Sequence, residues 1–185
     1  KENNIPVWGV GNYGEGSSYQ GFYDNEGRFT TGILIFPDGD YYIGRFNSAG
    51  EIFSKEYIAV GTYVYAEGGY QEAYFDENLF AHGFGVTYFQ EGGYSMGMMS
   101  NGRIDGLKVD RYEDEGYSIY GSETNSKLNG LIFQEYDDGS SFQQYMINDE
   151  NVGEITSTQG IAVQQLEGIK EFLSVTYAEL MIEID

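Results

Sequence analysis

The side chains in this sequence best suited to chemistry are carboxylates grouped at Glu113-Asp114-Glu115 and Asp137-Asp138. Paired carboxylates can supply the acid and base of glycoside hydrolysis, and oxygen-rich clusters can hold calcium. Either chemistry needs one special constellation, whereas these acids recur. The turns Asp38-Gly39-Asp40, Glu67-Gly68-Gly69, Glu91-Gly92-Gly93, Asp114-Glu115-Gly116 and Asp138-Gly139-Ser140 are copies of one another, and each is followed by an aromatic: Tyr41, Tyr70, Tyr94, Tyr117 and Phe142. Recurrence is what turn chemistry demands, because Asp, Gly and Ser tolerate the backbone angles of tight hairpins. No second constellation supports catalysis. His82, the sole histidine, cannot form a metal cluster by itself, and the absence of Cys removes thiolate sites, disulfides and cysteine nucleophiles. The sequence is therefore read as non-enzymatic, with no metal and no cofactor.

What positions these turns is a repeat. Asn78, Asn101, Asn125 and Asn148 each precede a Gly by five residues, at Gly83, Gly106, Gly130 and Gly153. With Asn25 and Asn47 the markers lie 22, 31, 23, 24 and 23 residues apart, and the long interval marks an insertion after Asn47. Between the Gly and the acidic turn runs a segment such as Val86-Thr87-Tyr88-Phe89 or Leu131-Ile132-Phe133, rich in residues that fit a pleated surface. The unit is strand, tight turn, strand. Such a hairpin cannot bury its own apolar face, so neighbouring copies must stack. The expected fold is all-β: a single-layer antiparallel sheet of about six stacked hairpin repeats over residues 5–155, the first partial. Residues 156–185 form a C-terminal α-helix packed on its end, as a cap or as a docking element.

Several local expectations follow. Trp8, the only Trp, sits in an atypical first repeat and is expected to seal that end. The insertion between Asn47 and Ala59 is either a tolerated loop or a place where a partner binds. Ile169, Phe172, Leu173, Tyr177, Leu180, Met181 and Ile184 recur at helical spacing. A cap would bury Phe172, Leu173 and Leu180 near Phe142 and Tyr145. Val175 and Thr176 leave a strand ending open.

Thirty acidic residues against nine basic give a net charge of −21. That argues against nucleic acid and against an anionic membrane surface as direct partners, since both attract clustered Lys and Arg. No stretch approaches the ~20 apolar residues of a membrane-spanning helix, and no signal peptide opens the chain. A start at Lys1 is expected of a trimmed or processed chain.

At the repeat residues the chain resembles the MORN (membrane occupation and recognition nexus) family. His82-Gly83-Phe84-Gly85 matches its HGxG segment, and Tyr19-Gln20-Gly21-Phe22 and Tyr42-Ile43-Gly44-Arg45-Phe46 carry its YxGxF segment. Tyr70-Gln71-Glu72 and Phe142-Gln143-Gln144 lack its Gly. The resemblance covers roughly residues 5–155. It implies a MORN-like solenoid acting as a non-catalytic protein–protein interaction scaffold, cytoplasmic and associated with cytoskeleton, cilium or membrane junctions. The groove expected to receive a basic or amphipathic partner helix is lined by Tyr41, Tyr70, Phe89, Tyr94, Tyr117 and Phe142. Its acidic rim is Asp38, Glu91, Asp114 and Asp138. Two alternatives stay open: a carbohydrate- or choline-binding surface module, against which a single Trp counts, and a targeting module of a larger enzyme.

Overall fold

Every tight turn in this chain returns it beside the strand it has just left, so sequence order becomes spatial order. The computed structural model describes residues 7–46, 59–76, 78–154 and 159–184. Its strands are β1 (Val7–Asn12), β2 (Ser18–Tyr23), β3 (Phe29–Ile35), β4 (Tyr41–Arg45), β5 (Ala59–Val64), β6 (Tyr70–Phe75), β7 (Ala81–Tyr88), β8 (Tyr94–Ser100), β9 (Arg103–Tyr112), β10 (Tyr117–Thr124), β11 (Lys127–Tyr136), β12 (Ser141–Ile147) and β13 (Glu150–Glu154). They form one open antiparallel sheet in the order β1 to β13, followed by one helix, α1 (Gln159–Ile184). The expected all-β hairpin array with a packed C-terminal helix is what the chain forms, and the strand ending for residues 173–177 is not. The insertion after Asn47 lies outside the described residues.

One face of the sheet explains the recurring Tyr-x-Gly. Tyr19 is fully buried, and its hydroxyl donates to the carbonyls of Phe22 (2.9 Å) and Thr31 (3.0 Å). The ring lies over Gly21 and its cross-strand partner Gly32, and a Cβ at Gly21 would stand 2.5 Å from that hydroxyl. Tyr42 repeats the device, donating to the carbonyls of Arg45 and Val60 at 2.9 Å each. Tyr19 also stacks on Phe29 and meets Tyr23 and Phe46 edge-on, which fills this face without a second layer. Farther along the same face, Tyr42, Ala73, Phe75, Ala81 and Met99 form a continuous cluster.

The opposite face carries α1. Val60, Tyr74, Phe84, Val86, Met96, Val109 and Tyr120 share one core with Leu173, Tyr177, Leu180 and Ile184, while Leu166 packs with Leu131 and Phe133. The helix therefore runs back across the strands, from β11 at its N-terminal half to β5 at its C-terminal end. Its leucines at 166, 173 and 180 are all buried. Seven residues of helix rise ~10.5 Å, and one two-strand repeat spans ~9.6 Å, so each of these leucines lands on a new hairpin. The placement differs in detail from a cap near Phe142 and Tyr145: Phe172 is 41% exposed, and those two aromatics are exposed as well. Trp8, 55% exposed on β1 opposite Phe22, does not seal the first repeat, because α1 does not reach it.

Candidate docking face and acidic edge

Because consecutive hairpins alternate direction, alternate turns fall on opposite edges of the sheet. The edge holding the turns after β1, β3, β5, β7, β9 and β11 gathers Glu15, Asp38, Asp40, Glu67, Glu91, Glu113, Asp114, Glu115, Asp137 and Asp138. All four expected rim residues, Asp38, Glu91, Asp114 and Asp138, are on this edge and exposed. Part of their work is local. Asp38 Oδ1 accepts from the Asp40 amide (3.2 Å) and Asp138 Oδ1 from the Ser140 amide (2.8 Å), and the Ser140 bonds hold the Asp138 carboxyl below its ordinary range. Arg111 reaches this edge as a counter-charge, gripping Asp137 with two bonds of 2.8 and 2.9 Å that lower its carboxyl in the same way.

The expected aromatic groove is divided by the pleat. Tyr70 stacks on Tyr88 with centroids 4.4 Å apart, Tyr94 joins the same core, and Tyr41 lies on this face farther along through its pairing with Val64. Here the chain's own helix is the occupant: the Tyr88 and Tyr177 hydroxyls meet at 3.0 Å, and burial raises the Tyr88 pKa. Tyr117 lies three residues before Tyr120, which faces α1, so alternation turns Tyr117 to the other side, where it meets Tyr112 and Tyr136. Phe142 pairs with Gln134, next to the helix-facing Phe133, and shares that other side. Phe89 is exposed in the turn after β7. The six residues are thus not brought together in one groove. The heptad Leu166, Leu173 and Leu180 was the sequence signal for what fills the middle of the helix-side face.

The other face holds two polar features that the repeat pattern did not disclose. A groove of about 850 Å³ is bordered by Tyr63, Tyr65, Gln71, Ile104, Asp105 and Asn125. Beside the same strands, Lys108 is buried between Asp110 (2.7 Å) and Glu123 (2.5 Å), and Ser95 donates to Asp110 at 2.6 Å. Burial would lower the Lys108 pKa, but the two carboxylates outweigh it and raise it instead. A lysine held charged this firmly offers no free base, so the cluster braces β8, β9 and β10. His82 is likewise committed to a turn, with Nε2 3.1 Å from Asp76 Oδ2.

Among the described residues no three His, Asp or Glu side chains are grouped to hold a metal, and the described helix is not long and apolar enough to cross a membrane. No family model matches the chain, and a search of curated proteins finds no match.

Proposed function

We propose that this protein is a non-catalytic protein–protein interaction scaffold of MORN type, receiving a basic or amphipathic helix from a partner. The observation that carries the reading is the seating of α1: the sheet already accepts one amphipathic helix, at one leucine per hairpin. Lys170, the only basic residue of that helix, pairs with Glu135 (2.7 Å) next to the acidic edge. The face thus has a working rule for recognition, which is apolar side chains on the strands and positive charge toward the turns. The carboxylates along the edge would raise the association rate of a basic partner and suppress acidic ones. The Tyr-over-Gly packing gives the YxG motif a physical reason and supports the MORN-type reading. Association with cytoskeletal, ciliary or membrane-junction assemblies in the cytoplasm is the setting that this reading implies.

Affinity capture from native lysate, with the parent protein compared against an edge variant carrying Glu91→Lys, Asp114→Lys and Asp138→Lys, tests the proposal. Basic partners retained by the parent and lost by the variant are expected. Identical retention by both, or nothing above the bead control, would sink it.

A further inference from the structure

The register of the sheet draws one row of side chains on the helix side that runs far beyond the helix. Through successive pairings it reads Val10, Gln20, Ile33, Ile43, Thr62, Glu72, Val86, Met96, Val109, Tyr120 and Phe133. From Val86 to Phe133 this row lies under α1. From Val10 to Ile43 no element among the described residues covers it. Val10 is 63% exposed, Ile43 42%, and the flanking Trp8, Phe22 and Ile35 on the same face are exposed too. Side chains of this kind on four adjacent strands make a contiguous apolar patch of the sort that marks an interaction site.

The geometry points to β1–β4 as a docking site for an amphipathic helix from a basic partner, laid end to end with α1 along the same row. This inference rests on the scaffold reading and specifies its site. Continuity with an interface that already exists is the first argument, since the hairpin spacing that suits the heptad of α1 is unchanged in β1–β4. The bare stretch covers two hairpins, which a helix of about three turns would span with two large apolar residues seven apart. Charge complementarity is the second. The turns after β1 and β3 present Glu15 and Asp38 along the patch. The end of α1 that abuts it has Glu179 and Glu183, no basic residue in its last turn, and the negative pole of the helix dipole. A second copy of this chain would bring the same acidic edge and the same −21 charge to the contact. A helix with Lys or Arg on its flank and at its end meets all of these features at once.

A fluorescent 14-residue helical peptide with leucine at positions 1, 4, 8 and 11 and lysine on the flanks is the probe, titrated into the intact chain at about 0.15 M salt. Saturable binding is expected. It should weaken at least tenfold in Phe22→Asp and in Ile43→Asp, and at least tenfold when glutamate replaces the lysines. Ile43→Thr serves in place of Ile43→Asp if the latter melts early. Binding indifferent to these changes, or no saturation by 100 µM peptide, would overturn the inference. So would a peptide that displaces α1, seen as lost amide protection at Val86 and Val109, or a parent dimer in sedimentation that the same substitutions dissociate. If lysate partners persist on Ile43→Asp protein, this docking site falls while the scaffold reading stands. If they are lost there but kept by the lysine-substituted edge variant, the docking face stands and the electrostatic part of the scaffold reading falls.

Discussion

Strands β1–β4 and strands β5–β11 belong to one sheet but solve its stability differently. In β1–β4 a single face is buried. Tyr19 and Tyr42 fold over glycine pairs, close their hydroxyls on carbonyls that would otherwise lack a side-chain donor, and join an aromatic cluster with Phe29 and Phe46. The strands there can leave their second face to solvent. In β6 the glycine's place, opposite Gly61, is taken by Ala73 and the tyrosine's place, opposite Tyr63, by Gln71, and farther on Met99 and the Lys108 cluster occupy the inner face. Those strands have a second layer, α1. The comparison teaches that a one-layer sheet is sustained by a tyrosine folded over closely approaching backbones, and that where Gln71, Thr87 and Ser95 take the tyrosine's place a helix covers the other side.

The largest expected effect separates the two regions. Leu173 is 1% exposed in the core under the helix, so Leu173→Ala should lower stability by about 2–5 kcal/mol. Melting should shift by roughly 5–15 °C, and hydrogen exchange should accelerate in β5–β11 with β1–β4 little changed. Equal loss of protection in both would make the sheet one cooperative unit and end the comparison. Next is Tyr42→Phe, which removes the donor to two carbonyls and should cost about 1–3 kcal/mol in urea unfolding.

Alkaline titration sharpens the same contrast. Burial pushes the Tyr19 hydroxyl up to about 12, against an unfolded value of 10.0. Above pH 10 the unfolded chain sheds this proton while the folded one keeps it, so the stabilisation is whole below pH 10 and is lost as pH rises through about 12. Burial raises the Tyr42 pKa as well, so loss of protection in β1–β4 on that approach is expected, and Tyr19→Phe should flatten it. The smallest effect concerns the bare face. Phe22→Ser should change stability by no more than about 0.5 kcal/mol, the range of an exposed position. A change above 2 kcal/mol would mean that this face is covered.

The hairpin array was legible because its signals are local: an Asn or an acid-Gly turn fixes where each strand ends, and a 23-residue period fixes what lies beside it. The helix was legible from spacing alone, but its seat was not. The sequence reading placed Phe172 inside and passed over Leu166, because the rule that selects the buried stripe is the hairpin spacing of the sheet beneath it, a distance that exists only after folding. The split of the aromatic set has a similar cause. Tyr94 and Tyr117 hold the same place after their acidic turns, yet the turn between Tyr88 and Tyr94 has five residues and the one between Tyr112 and Tyr117 four, so Tyr94 falls opposite Arg111, one residue out of step with Tyr117, and equal repeat positions need not share a face. The Lys108 cluster joins residues from three strands and shows no spacing along any one of them.

The course of α1 back over β11 to β5 also sets an order in time. A strand array made of neighbouring hairpins can form as the chain is synthesised, each unit resting on the one before. The helix is made after all thirteen strands and covers strands finished long before it. From the end of β11 to the end of α1 the ribosome must add about fifty residues, which at 5–20 residues per second takes roughly 3–10 s. During that interval Phe84, Val86 and Val109 have no lid, whereas β1–β4, whose tyrosines fold over glycines no farther along than Gly61 and reach Phe75 of β6, can already be packed. The nascent chain therefore passes through a stage in which its middle is the sticky part, and a chaperone that binds apolar strand faces would meet it there.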